Sequence, residues 1–342
     1  MRTIILFATS FLLMLSAQAQ LSDSLAQIWP EPFFAEKPDT LIFRNEASYV
    51  GELKEGRPHG WGILLTPKQD TLYIGHFNGG RKDGLGRFFF NGGNVYFGYW
   101  QDNRMHGRGE MRFYTGDVYA GDWFADRFHG EGTYRFADGG TYTGAFFEGQ
   151  RHGQGTLRTD DLVYTGAWLN GLKNGEGREE LVFADHKEIY QGDFYQGAYQ
   201  GQGRWAYEVS GLITKEYEGE FQSGKRQGQG TYRVGTRTMR GNWIANAATG
   251  TGVCTTDEGV YQGSFKQGLF SGRGTLEYAN GDLYEGEWVR GKREGQGRME
   301  WANGQRYEGQ WLQGLPHGTG TMTLANGSIN RGNFVEGEFV RQ

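Results

Sequence analysis

From Tyr49 to the C-terminus one phrase returns thirteen times, at intervals of 22 to 27 residues: an aromatic, any residue, glycine, any residue, an aromatic. It starts imperfectly at Tyr49-Val50-Gly51-Glu52-Leu53. It is clear at Tyr96-Phe97-Gly98-Tyr99-Trp100, Tyr119-Ala120-Gly121-Asp122-Trp123 and Tyr284-Glu285-Gly286-Glu287-Trp288. About nine residues later comes a Gly-x-Gly pair, as at Gly107 and Gly109, Gly130 and Gly132, or Gly295 and Gly297. A fixed long period constrains architecture more than any local motif, because each apparent site is then a copy of one structural part.

Within a repeat the alternation has period two, the signature of strands. Tyr284, Gly286 and Trp288 share one parity, with Glu285 and Glu287 on the other. Gly295, Gly297, Met299 and Trp301 likewise alternate with Gln296, Arg298 and Glu300. Each repeat therefore reads as a two-stranded hairpin with one aromatic-and-glycine face and one polar face. Glycine inside a strand costs about 0.5–1 kcal/mol relative to alanine. A tyrosine or tryptophan ring laid over a neighbouring bare backbone offsets that cost, since burying one large apolar side chain contributes roughly 1.5–3 kcal/mol.

The turns give the same picture. Trp301 and Tyr307 have equal parity, so the Ala302-Asn303-Gly304 connection has an odd number of residues, and three with Gly304 left-handed fit. At the opposite turn glycine, or Asn103, Asp126 or Asn246, stands third after the aromatic, where positive φ is tolerated. The expected fold class is all-β: an elongated single-layer antiparallel meander of about twelve to thirteen tandem hairpins. At ~4.8 Å per strand, about 24 strands would extend on the order of 115 Å. Residues 39–44 and 333–340 read as half-repeats capping the two ends.

Residues 1–19 read as a secretory signal, with Arg2, an apolar stretch from Ile4 to Leu15, and Ala17-Gln18-Ala19. Residues 20–48 then form an N-terminal segment and capping strand, and 49–342 the array. The expected compartment is periplasmic or extracellular, peripheral to a membrane at most. Cys254 is the single cysteine among 342 residues, so no disulfide framework supports the fold. A formal net charge of −5, with no basic domain, argues against nucleic acid as partner.

The consensus Tyr-x-Gly-x-Trp/Phe-x-x-Gly-x-x-x-Gly-x-Gly resembles the MORN repeat (membrane occupation and recognition nexus), and the resemblance covers residues 49–337, here of a bacterial secreted type. It implies a β-hairpin array serving as a scaffold, a dimerising rod or a membrane-apposed adaptor. The weakest copy is Met239-Arg240-Gly241-Asn242-Trp243.

Few sites survive subtraction of the repeat. Gly286 to Lys292 imitates a phosphate-binding loop, yet Arg293 stands where Ser/Thr is required and no helix follows. His106, His129 and His152 form a ladder, but positions two strands apart lie roughly 9.6 Å from each other, too far to share zinc. No catalytic, cofactor or metal residue is assigned, and no small-molecule substrate. What remains is a basic turn edge of Arg57, Arg81, Lys82, Arg104, Arg127, Arg151, Lys173, Lys225, Arg226, Lys292 and Arg293, a candidate for an anionic surface.

The outward face is apolar only in the first three repeats, at residues such as Trp61, Ile63, Ile74, Leu85 and Phe97. Leu25, Ile28, Trp29, Phe33 and Phe34 of the preceding segment are expected to cover it. Repeats six and seven place their extra length in turns at Leu181–Glu188 and Tyr207–Glu216. The function read from these features is a non-enzymatic exported scaffold or adaptor that binds protein partners or a membrane surface, with a homodimer among the options. The alternative is glycan binding by exposed Tyr and Trp rings.

Overall fold

The computed structural model describes residues 38–340; the expected signal at 1–19 and residues 20–37 of the N-terminal segment lie outside the described residues. Among the described residues there are 27 strands, β1 (Asp39–Ile42) to β27 (Glu338–Val340), and no helix. The chain divides into two compact units, one running to Asp160 and including Trp168–Gly171, the other holding Asp161–Ala167 and the residues from Leu172 onward. The border falls in β12 (Leu162–Leu169).

In the first unit β1 to β11 (Gln150–Arg158) pair antiparallel in chain order. In the second, β13 (Leu172–Val182) to β27 do the same. Each unit is a single-layer meander. The half-repeat expected before Tyr49 is β1, paired with β2 (Ser48–Lys54), and the last copy is the hairpin of β26 (Ile329–Val335) and β27.

A one-layer sheet has no second sheet to bury its apolar face, so each repeat buries its own tyrosine. On β6 (Val95–Gln101) and β7 (Arg104–Arg112), Gly98 pairs with Gly109 and the Tyr96 ring lies across that pair. A Cβ built on Gly109 would sit 2.6 Å from ring carbons Cε2 and Cζ and closer still to the hydroxyl oxygen. The hydroxyl donates to the Tyr99 carbonyl at 2.9 Å. Trp100 and Trp123 meet the ring edge-on at 5.2 and 5.1 Å, an arrangement favoured by the ring quadrupoles. Each tryptophan latches one repeat to the one before it: Trp100 Nε1 donates to the Gly86 carbonyl, Trp123 to Gly109, Trp288 to Gly274. Tyr96, Tyr119 and Tyr284 end fully buried.

The two glycines of Gly-x-Gly have different jobs, which corrects the expectation that both face the rings. The register shifts between Gly98 and Trp100, and opposite this bulge Gly107 adopts φ 61°. Its missing side chain points outward, toward Tyr99 Cβ, and that of Gly130 points to Asp122. Gly295 faces Glu287 in the same way, while Gly132 and Gly297 face Tyr119 and Tyr284. The first glycine permits the bulge; the second makes room for the ring.

The Asn-Gly connection has the expected three-residue form: Trp301 N bonds to the Gln305 carbonyl, Gly304 N to that of Trp301, and Gly304 has φ 85°. The opposite turns differ from expectation in having two left-handed residues, for example Ala125 at φ 48° and Asp126 at φ 71°. A two-residue turn that matches strand twist needs positive φ at both positions. Left-handed geometry costs a non-glycine residue roughly 1–2 kcal/mol, and glycine gives some of that back as unfolded-chain entropy. Ala125→Gly is therefore expected to stabilise the protein by about 0.5–1 kcal/mol in urea unfolding; a neutral or negative change would contradict the strain.

The extra length of repeats six and seven lies in strands, not in protruding loops as expected. β13 and β14 (Lys187–Tyr195) pair out to Val182 and Lys187. β15 (Ala198–Val209) and β16 (Leu212–Gln222) close on a tight turn at Ser210 and Gly211. At the turn between β13 and β14, His186 stacks between Phe183 and Tyr207 at 4.4 and 4.3 Å.

Candidate interaction rim

The eleven basic residues of the turn edge separate by strand parity into two sets with different roles. Five of them, second in their strands, turn inward over the tyrosines. Lys82 Nζ lies 3.9 Å from the Trp100 ring centroid, 4.2 Å from Phe88 and 5.7 Å from Tyr73. The Arg151 guanidinium lies 4.2 Å from Trp168 and 5.7 Å from Tyr142. Arg226 lies 4.7 Å from Trp243, and Arg293 4.6 Å from Trp311. Lys173 lies 5.0 Å from Tyr164 and pairs with buried Glu179, which accepts the Tyr199 hydroxyl at 2.8 Å. Other repeats fill the same position with a ring: Phe128 stacks on Tyr119, Tyr199 on Tyr190 and Phe270 on Tyr261.

These cations are lids on the tyrosines, with stems on aromatic surface and charge on the ring faces. Burial pushes the Lys82 ammonium down to about 8, against the upward pull of Asp126, and lowers Arg151 and Arg226 as well. Removing them would unroof tyrosines, so they are poor reporters of binding to an anionic surface.

The other six, Arg57, Arg81, Arg104, Arg127, Lys225 and Lys292, open their strands with side chains exposed at the turn. Some are partly neutralised: Arg81 meets Asp102 at 2.7 Å, Arg127 meets Glu148 at 3.5 Å, and Lys292 donates to Gln313 at 2.7 Å. Exposed pairs of this kind contribute at most about 1 kcal/mol, leaving the cations available to a competing anion.

Sequence reasoning missed the partner of these cations. The last residue before the turn shares their outward face, as Phe124↔Arg127 and Val289↔Lys292 show, and it is repeatedly apolar. Phe124 and Phe147 are 57% and 49% exposed in the first unit, and Tyr195, Ile244, Val289 and Leu312 are exposed in the second. The signal was present: these residues directly follow the inward aromatic, so parity alone places them outside. Phe124 and Phe147 interleave with the histidine ladder, at 5.1 Å from His106 to Phe124, 5.6 and 5.3 Å from His129 to Phe124 and Phe147, and 5.5 Å from Phe147 to His152. Arg104, Phe124, Arg127, His129 and Phe147 line a groove of 370 Å³. No cluster of three potential metal ligands occurs among the described residues.

The opposite edge is acidic by sequence, but its carboxylates tie turns together. Asp117 accepts from the Ala137 backbone N–H and the Tyr134 hydroxyl, which hold its carboxyl below the usual range. Asp282 accepts from Ala302 N.

The glycan alternative required exposed repeat rings. Trp100 and Trp123 are only 4% exposed and the repeat tyrosines are fully buried, so those rings offer no platform for a sugar.

A MORN repeat profile matches residues 49–71, 73–95, 96–118, 119–141, 142–161, 164–181, 190–208, 217–234, 261–283, 284–306 and 307–329. It passes over the weak copy at Met239. There β18 (Arg237–Ile244) and β19 (Ala247–Thr256) still keep the repeat's register, Met239↔Cys254 and Gly241↔Gly252. No curated protein matches. Among solved structures the chain is similar to a streptogramin B lyase structure, at 10% identity over 90% of this chain and 85% of that one. The TM-score of 0.13 gives that likeness no weight.

Proposed function

The chain belongs to the MORN-repeat family, whose repeats generally mediate protein or membrane interaction, and we propose that it is a non-enzymatic, exported scaffold that docks through its basic and apolar turn rim. The observation that carries this reading is the pairing of exposed Phe124 and Phe147 with Arg104 and Arg127 on one outward edge. Apolar tips and cations together suit an anionic membrane surface, where rings insert at the boundary and each cation contributes about 1 kcal/mol. The work is passive: weak contacts at repeat spacing add by multivalency.

Flotation with phosphatidylserine-containing vesicles tests it. Arg81→Gln, Arg104→Gln and Arg127→Gln together remove about 3 kcal/mol by the per-cation figure, so binding should weaken on the order of 100-fold and be lost at high salt. Arg151→Gln is left out because Arg151 is a lid. Equal flotation of wild type and variant, at low and high salt, would remove the rim from the reading.

A further inference from the structure

On the tyrosine side of the first unit, away from the outward rim, Phe128, Tyr134, Phe136, Tyr142, Phe146 and Arg151 line a cleft of 370 Å³. Three departures from the repeat leave it open. Tyr134 stands opposite Tyr142 on the paired strands β9 (Arg127–Arg135) and β10 (Thr141–Phe147). Its hydroxyl donates to Asp117 at 2.9 Å, however, which draws its ring back toward Phe113, at 6.1 Å, and away from Tyr142. Phe146 is a phenyl where Trp100, Trp123 and Trp168 bring an indole. On β11, Leu157 holds the place that Tyr232 fills on β17 (Lys225–Val234), 4.7 Å from the Arg226 guanidinium. Arg151 is the only charged side chain among the described residues of the lining. One face of its guanidinium lies on Trp168 and its Nη2 donates to the Gly171 carbonyl at 3.1 Å. Lys173, the next lid, has the carboxylate of Glu179. Arg151 has none among the described residues: burial lowers its pKa, and the one opposing pull comes from the Tyr142 hydroxyl.

We propose that this cleft binds a small planar aromatic carboxylate, its ring set among the five aromatic side chains and its anionic end on the remaining N–H groups of Arg151. A cleft of this volume, apolar in its walls and carrying one placed charge, has the make-up of a small-molecule site. Ring walls favour a ring over a saturated skeleton of the same size, because edge-on and offset ring contacts add to the area buried. A guanidinium removed from water without an anion gains most from a carboxylate, since charge-assisted hydrogen bonds are the strong ones. The site is independent of the rim: Arg151 faces the tyrosines, whereas Phe124 and Phe147 face outward. Arg151 then closes Tyr142 on one side and offers its charge to the cleft on the other.

Titration calorimetry of the purified chain with 2-naphthoate, its neutral amide and its fully saturated analogue tests the proposal. The aromatic acid should bind once per chain with a Kd below ~1 mM. It should bind at least about tenfold more tightly than the amide, which lacks the charge, and than the saturated acid, which lacks the flat ring. Phe146→Trp places the site, because it restores the residue of other repeats. An indole is accommodated there beside a ring lid, as Trp288 is beside Phe270 at 5.4 Å. The larger ring should fill the cleft and weaken 2-naphthoate at least about tenfold, with the far-ultraviolet circular dichroism unchanged. The three ligands decide the question on the wild-type chain alone. No saturable binding of 2-naphthoate, equal affinity for either analogue, or undiminished binding by the Phe146→Trp chain overturns the proposal.

Discussion

Above pH 10 the protein is expected to unfold in one steep step in which the repeat tyrosines ionise only as the sheet is lost. Their hydroxyls donate to backbone carbonyls three residues on, as Tyr119 does to Asp122 and Tyr284 to Glu287, and burial is the main cause of a raised pKa throughout. For Tyr49, Tyr164, Tyr217 and Tyr261 it is pushed up to about 12. The ordinary value is about 10. Between the two, the unfolded chain has released protons that the folded chain retains. The stabilisation is therefore complete below pH 10 and is lost as pH climbs toward 12. Each tyrosine costs at most about 1.4 kcal/mol per pH unit, less where water screens the hydroxyl, so the four together withdraw several kcal/mol across the window, a large share of the stability of a typical domain. The larger part of the phenolate absorbance, from the eleven fully buried tyrosines among 19 in the sequence, should appear only together with the loss of the far-ultraviolet circular dichroism signal. That larger part rising with a midpoint near 10 over an intact β spectrum would contradict the buried-hydroxyl arrangement.

Gly109→Ala should be the most damaging one-carbon change in the first unit. The three heavy atoms nearest to its added Cβ all belong to Tyr96, a ring fully buried and held by its hydrogen bond and two edge-on indoles. The ring has no direction in which to yield. Overpacking costs typically 1–3 kcal/mol and occasionally more; here about 3 kcal/mol is expected, read as faster amide exchange across β6 and β7. Gly139→Ala is the control for adding a methyl group, since a Cβ there meets nothing within 4 Å; its φ of 96° adds backbone strain but no collision. An effect at Gly109 no larger than at Gly139 would mean that the ring does not confine the backbone.

The period, the parity and the tyrosine-over-glycine contact were legible because each depends only on which residues share a face. The exceptions arose where the backbone departs from plain alternation. The bulge opposite Gly98 sends Gly107 outward, and nothing in one Gly-x-Gly shows that its two members differ. Ala125, Gln267 and Arg290 are left-handed because the two-residue turn demands it, while their side chains signal nothing of the kind. The added residues near Leu181 and Tyr207 looked like loops since they exceeded the period, yet they extend four strands.

The interaction rim was half visible. Counting cations gave its charge but merged Lys82, Arg151, Lys173, Arg226 and Arg293 with residues of the opposite parity, and so mixed tyrosine lids with outward charges. Phe124, Phe147 and Val289 were passed over because an apolar residue beside a turn draws no notice until its face is known. The repeat tryptophans offered to a glycan were misjudged for the converse reason: in a one-layer sheet the rings are buried by glycine backbone, by neighbouring rings and by lids, with no second sheet required.

The most direct test of this architecture is a double-mutant cycle on Tyr96 and Gly109. Tyr96→Ala alone should cost about 3–5 kcal/mol, the range for emptying a large aromatic site. If glycine stands at 109 to admit the ring, Gly109→Ala should cost about 3 kcal/mol beside Tyr96 and close to nothing in the Tyr96→Ala background, a coupling of about 3 kcal/mol. An equal cost in both backgrounds would contradict the account.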